Sequence, residues 1–223
     1  MKIEVKGSII PNGDKQVYDW FGMDSTCPKD VSSAIEKSNG MPIDVEINSG
    51  GGDIFAGSEI YTALKSYSGG VNIKIVGLAA SAASVIAMAG KSEMSPTAMM
   101  MVHNVSSYAE GDYHSLDIQS NILRQANKTI AAAYVAKAGI TELDALNLMD
   151  HETWLTAQQA VDKGLVDKVM FENLQLSAAY GNAMIPQSVI EKIRNTIKNP
   201  QAQIGQADFL QAKLNFLKLK VRK

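Results

Sequence analysis

Ser81 sits in residues 77–90, GLAASAASVIAMAG, where one hydroxyl lies among very small residues directly after a strand-like segment. Acyl transfer by a serine needs an activated hydroxyl, a base, a group that orients the base, and donors for the oxyanion. The chain offers a candidate for each. Ser81 is the hydroxyl, His103 at the end of an apolar run is the base, and Glu152 just before Trp154 and Leu155 would fix the imidazole tautomer. The glycine turn at residues 50–52 and the N–H of Ala82 are the candidate oxyanion donors. Each part has a plainer reading. Ser81 could cap a helix, Ser84 could be a packing residue, and a lone histidine after an apolar run is often structural. His114 and His151 compete for the base. A phosphate loop at residues 50–52 is disfavoured, because neither Lys-Ser/Thr nor GxGxxG spacing follows.

These residues need elements to carry them. Residues 2–10 read as an edge strand, followed by a turn at residues 11–14. Residues 31–38 read as a helix, 42–48 (PIDVEIN) as a strand broken by the glycines, and 54–66 as a helix. A second strand at 71–76 feeds the Ser81 corner and a helix, and a third at 98–102 feeds His103. Repeated strand, turn and helix units predict an α/β domain with largely parallel strands. Residues 117–138 have apolar positions at helical spacing, 155–164 read as a shorter helix, and 165–170 as a last strand.

The bulk properties narrow the classes. With 223 residues and 46% hydrophobic content, one core domain is expected. No signal peptide and no apolar run long enough to span a bilayer is visible, which predicts a soluble, cytoplasmic protein. One cysteine, Cys27, and three histidines argue against disulfides and structural zinc, and no cofactor is expected. Residues 174–223 hold eight Lys/Arg and two acids, so the tail carries +6 and the body −8 of the net −2. A solvated face is the ordinary reading of such a tail, and nucleic-acid binding is not expected. Residues 207–223 place Leu210, Leu214, Leu217 and Val221 on one helical face, as an interaction helix or an ordinary packing helix would.

The combination of segments resembles the Clp-type serine peptidases, and within them the shorter ClpP-like proteases of tailed phages and prophages that mature heads. The matching residues are INSGGGDIFAG from Ile47, GLAASAASVIAMAG from Gly77, MVH at residues 101–103, and TWLTAQQAVDKGLVD from Thr153. The resemblance covers residues 1–172. It implies Ser81 as nucleophile, His103 as base, Glu152 at the acidic position, and Gly51 and Ala82 as oxyanion donors. Aspartate is usual where Glu152 stands, with Asp150 as a rival, and Gly50 replaces the proline of the usual turn. It further implies a ClpP/crotonase-like spiral of repeated β-β-α units with a protruding handle helix at 117–138. Residues 1–174 would form the protease domain and 175–223 a basic extension. The expected partners are other copies, as heptameric rings or stacked tetradecamers, and polypeptide substrates such as capsid or scaffold proteins. Docking to an unfoldase ATPase is not expected, since the chain begins almost at its first strand. A catalytically silent ring protein, an acyl-CoA enzyme of the crotonase fold and a Ser-Lys peptidase are the alternatives.

Overall fold

The computed structural model describes residues 1–171. The expected extension at 175–223, with its amphipathic segment, lies outside the described residues. The strands are β1 (Lys2–Ile9), β2 (Ser25–Thr26), β3 (Ile43–Gly52), β4 (Val71–Ala80), β5 (Lys91–Met94), β6 (Met99–Val102), β7 (Thr153–Thr156) and β8 (Lys168–Val169). The helices are α1 (Lys15–Trp20), α2 (Pro28–Lys37), α3 (Ile54–Lys65), α4 (Ala82–Ala87), α5 (Tyr113–Ala138), α6 (Glu142–Asp150) and α7 (Ala157–Asp162). This is the mixed α/β architecture with a parallel sheet that the alternating strand and helix units predict.

The sheet runs β2-β1-β3-β4-β5-β8, with every neighbouring pair parallel. Period-two alternation decides which side chains enter the core. Val45, Ile47, Ile73 and Ile75 are fully buried, each contributing about 1.5–3 kcal/mol by leaving water. Their neighbours on the other face carry charge: Lys2 binds Glu46 at 3.1 Å and Lys74 binds Asp44 at 3.3 Å. The second face of this parallel sheet is therefore polar and partly wet, where parallel sheets are commonly covered on both sides.

β4 changes partner along its length. Asn72 to Ile75 pair with Lys91 to Met94 of β5, and then Leu78, Ala79 and Ala80 pair with Met99, Met100 and Met101 of β6. The last residues of β4 and β6 are thus held side by side. β7 closes the far side of β6, antiparallel, with Met101 opposite Trp154.

Several boundaries differ from the sequence reading. The glycines do not break the strand: β3 continues to Gly52, which pairs with Ile9, and a Cβ on Gly52 would lie 2.1 Å from the Ile9 carbonyl oxygen. Gly51 and Gly52 are there for close approach, whereas a Cβ on Gly50 would meet nothing. α5 begins at Tyr113, four residues before the expected start, because the Asp112 carboxylate caps it by accepting from the Ser115 N–H at 2.9 Å. His114 is consequently in a first helical turn and not in a loop. The helix expected from Leu155 instead begins at Ala157, capped by Thr156, and Leu155 belongs to β7. The strand expected at 165–170 shrinks to Lys168–Val169, and α1, α6, β2 and β5 were not foreseen. Among the described residues, no helix is long and apolar enough to cross a membrane.

Candidate active site

Ser81 follows the last residue of β4, and His103 follows the last residue of β6. Because Ala80 is paired with Met101, the two side chains emerge at neighbouring strand ends. They meet there: His103 Nε2 lies 2.8 Å from Ser81 Oγ. Ser81 adopts φ 55° and ψ −126°, a backbone region that costs an L-residue of order 1–3 kcal/mol. The Ser81 N–H donates to the Met101 carbonyl at 3.0 Å, and the Ser81 carbonyl accepts from the Ser84 N–H at 2.9 Å. A tight corner fastened at both ends projects the hydroxyl. The plain capping reading of Ser81 is not what this geometry gives, since its side chain caps no N–H of α4.

The glycine strand end packs against that corner. A Cβ on Gly51, at φ 91°, would lie 2.6 Å from the Ala80 oxygen, 2.7 Å from Ser81 Cβ and 3.0 Å from the Ala82 nitrogen. Only glycine fits. Its N–H, however, donates to Ser49 Oγ at 3.1 Å, and Ser49 Oγ donates to the Gly7 carbonyl at 2.6 Å. In this structure the Gly51 N–H expected for the oxyanion is engaged with Ser49 Oγ. Gly52, one residue on, lines the cleft beside Ser81 and His103. It pairs with Ile9 through the Asp53 N–H, which donates to the Ile9 carbonyl at 2.8 Å. The glycine triplet signalled a close approach in sequence, and the structure places it at Gly51 and Gly52. Ala82 is the first residue of α4, where an N–H needs no intrahelical acceptor.

Neither acid stands on the imidazole. Glu152 is exposed, at φ 45°, and its Oε1 accepts from Trp154 Nε1 at 3.3 Å. Asp150 Oδ1 accepts from Asn104 Nδ2 at 2.8 Å. Among the described residues no carboxylate is hydrogen-bonded to His103. The rival histidines are placed elsewhere: His151 Nδ1 meets the Asn147 carbonyl at 2.7 Å, and the His114 ring stacks on Tyr113 at 4.0 Å between centroids.

The cleft that opens at Ser81 and His103 holds about 280 Å³. Its lining mixes apolar side chains, Val85, Ile122, Ile130 and Tyr134 among them, with polar ones such as Asn104, Ser107 and Gln119. A larger depression of about 840 Å³, rimmed by Lys65, Lys74, Lys91, Lys168 and Asp44, lies at the opposite ends of the strands and holds neither Ser81 nor His103. Among the described residues, no group of three or more His, Cys, Asp or Glu side chains gathers as a metal site would.

The sequence profile of the Clp protease family matches residues 32–173, more than half of the chain. Over 163 residues the chain is 29% identical to ATP-dependent Clp protease proteolytic subunit 1 of Chlamydia abortus, covering 68% of this chain and 85% of that protein. It is 31% identical over 143 residues to the subunit of the same name from Protochlamydia amoebophila, covering 61% and 69%. It is 29% identical over 136 residues to the ATP-dependent Clp protease proteolytic subunit of Bacteroides fragilis, covering 60% and 66%. With more than half of its length matched by the family profile, on a fold of parallel strands that ends at a serine and a histidine in contact, this chain belongs to the Clp protease family and is a serine-type peptidase.

Proposed function

We propose that Ser81 and His103 are the nucleophile and base of an endopeptidase that cleaves extended polypeptide through an acyl-enzyme. The observation that carries this is the 2.8 Å contact between His103 Nε2 and Ser81 Oγ at a backbone corner with φ 55°. Nε2 takes the hydroxyl proton as Oγ bonds to the scissile carbonyl carbon. The oxyanion is received by the Ala82 and Gly52 N–H groups. As the C–N bond breaks, the Nε2 proton passes to the departing amine, leaving the acyl group on Oγ. Water then repeats the sequence, with His103 taking its proton and returning it to Ser81. Losing one oxyanion donor costs on the order of 3 kcal/mol in such sites.

The peptide lies as an added strand beside the glycine strand end, held by main-chain bonds. The apolar part of the cleft lining, Val85, Ile122, Leu123 and Ile130, favours an apolar side chain on the residue before the scissile bond. Glu152 is the proposed orienting acid, which requires its carboxylate to exchange the Trp154 indole for the imidazole. The motif resemblance to head-maturation proteases supports capsid or scaffold segments as substrates, met in the bacterial or phage-infected cytoplasm, with residues 175–223 as a basic tether. Heptameric rings or stacked tetradecamers are the proposed assembly.

In the test, the Ser81→Ala variant should lose cleavage of an unfolded or capsid-derived peptide by more than about 10³-fold, and a fluorophosphonate should label Ser81. Label at Ser84, or none on a folded assembly, overturns the assignment. The position of Glu152, away from His103, favours one second reading: a silent ring-forming protein. In that case, Ser81→Ala would leave both capsid assembly and capsid processing unchanged.

A further inference from the structure

One buried polar chain near the cleft has no part in the steps above. Ser84 is fully buried in α4, and Tyr134, on the buried stretch of α5, is 2% exposed. Ser84 Oγ lies 2.6 Å from the Ser81 carbonyl oxygen and 2.8 Å from the Tyr134 hydroxyl. The directions follow from the inventory of protons. A carbonyl only accepts, so the single Ser84 proton goes to Ser81, and Tyr134 donates to Ser84.

We propose that Ser84 and Tyr134 form a clamp that holds the Ser81 corner at its unfavourable φ and so sets where Oγ stands relative to His103. The proposal rests on Ser81 being the nucleophile. Of the donors to the Ser81 carbonyl, the Ser84 and Val85 N–H groups belong to the turn itself and are present in any such corner. The Ser84 hydroxyl is the donor a mutation can remove. Its proton is directed by Tyr134, which is anchored on a different element, 50 residues further along the chain. Burial pushes the Tyr134 phenol up to about 12, so it remains a donor throughout the neutral range. Tyr134 also lines the cleft, so one side chain borders the cleft and reaches the corner through Ser84. Ser84 and Tyr134 are positioning residues: neither reaches the reacting atoms. Shifting Oγ by a fraction of an ångström away from a near-attack geometry lowers the rate of acylation more than it lowers binding.

The test uses the full chain as Ser84→Ala, Tyr134→Phe and the double variant. Each is titrated with a fluorophosphonate, melted, and assayed on a peptide with an apolar residue before the cut. Ser84→Ala should lower kcat per titrated site about tenfold, with KM within about twofold, and slow fluorophosphonate acylation by the same factor. Tyr134→Phe should lower kcat about threefold, and in the Ser84→Ala background it should add nothing, because the two act in series. A pair serving packing alone would lower the melting temperature and the titratable fraction but leave kcat per site intact, and that result overturns the clamp. Losses that multiply in the double variant overturn it too. Should Ser84→Ala fail to fold, Tyr134→Phe, which deletes one oxygen and keeps the ring, decides by the same kcat measurement. Label on Ser81 with unchanged kcat in the variants refutes the clamp alone, whereas label elsewhere refutes the nucleophile and the clamp together.

Discussion

Glu152 is held in a left-handed conformation, φ 45°, with its carboxylate against the Trp154 indole. A non-glycine residue there costs about 1–2 kcal/mol, an expense that glycine largely avoids. Two substitutions separate conformation from chemistry. Glu152→Gly should stabilise the chain by up to about 1 kcal/mol in urea unfolding, while Glu152→Gln should leave stability near that of the parent. Both should lower kcat/KM on the order of 10²-fold if the carboxylate orients His103. A larger loss in Asp150→Asn than in Glu152→Gln would transfer the orienting role to Asp150. At this scale the sequence was legible only for groups whose position follows from the strand they end. Ser81 and His103 are such groups. The contacts that Gly51 and Glu152 make here were not legible, because they turn on which way an N–H or a carboxylate points: Gly51 toward Ser49 Oγ, Glu152 toward Trp154.

Among the elements, α5 is tied to the rest by several polar contacts, Asn127 Oδ1 accepting from the Val105 N–H at 2.8 Å among them, and two lie on its second half. Tyr134 meets Ser84, and Lys137, with a side chain only 9% exposed, reaches the Gly90 carbonyl at 3.0 Å and Asp167 Oδ2 at 2.6 Å. Burial alone would raise the Asp167 carboxyl, but the Lys137 ammonium and the Ser92 N–H outweigh it, and the group lies below its ordinary 3.8. A depressed folded value means that the stabilisation is fully present above the unfolded value and is lost as pH falls through the folded one. Urea midpoints of the parent should therefore drop as pH is taken below 3.8. Asp167→Asn should be less stable by roughly 1 kcal/mol at pH 7, the half-exposed carboxylate being partly screened, and should show a smaller drop in acid. An equal acid slope in both proteins would place the effect on other carboxylates. Long periodic elements such as α3 and α5 were readable from spacing, whereas α6 buries only Ala145 and Met149 and β2 has two residues, too little pattern to detect.

For the whole molecule, the first half of α5 presents Leu116, Ile118 and Ile122 at 44%, 62% and 52% exposure. The family assembles into oligomeric rings, and the proposed handle role places this stretch between copies. Ile118→Glu should then lower the sedimentation coefficient of the assembly without lowering the melting temperature of the dissociated subunit, since Ile118 is outside the buried core. An unchanged sedimentation profile would remove this stretch from the interface.

The partner change along β4 also has a kinetic meaning. Ser81 and His103 come into register only when Leu78, Ala79 and Ala80 leave the line of β5 and pair with β6, and Gly52 arrives only when β3 lies on the other side of β4. A one-residue slip of β6 would turn its side chains to the opposite face. Such non-local pairings close late in folding, after the local turns and helices. A newly made chain therefore brings Ser81 and His103 together only when the sheet that carries them is complete, so the proposed nucleophile and base meet as a late product of folding.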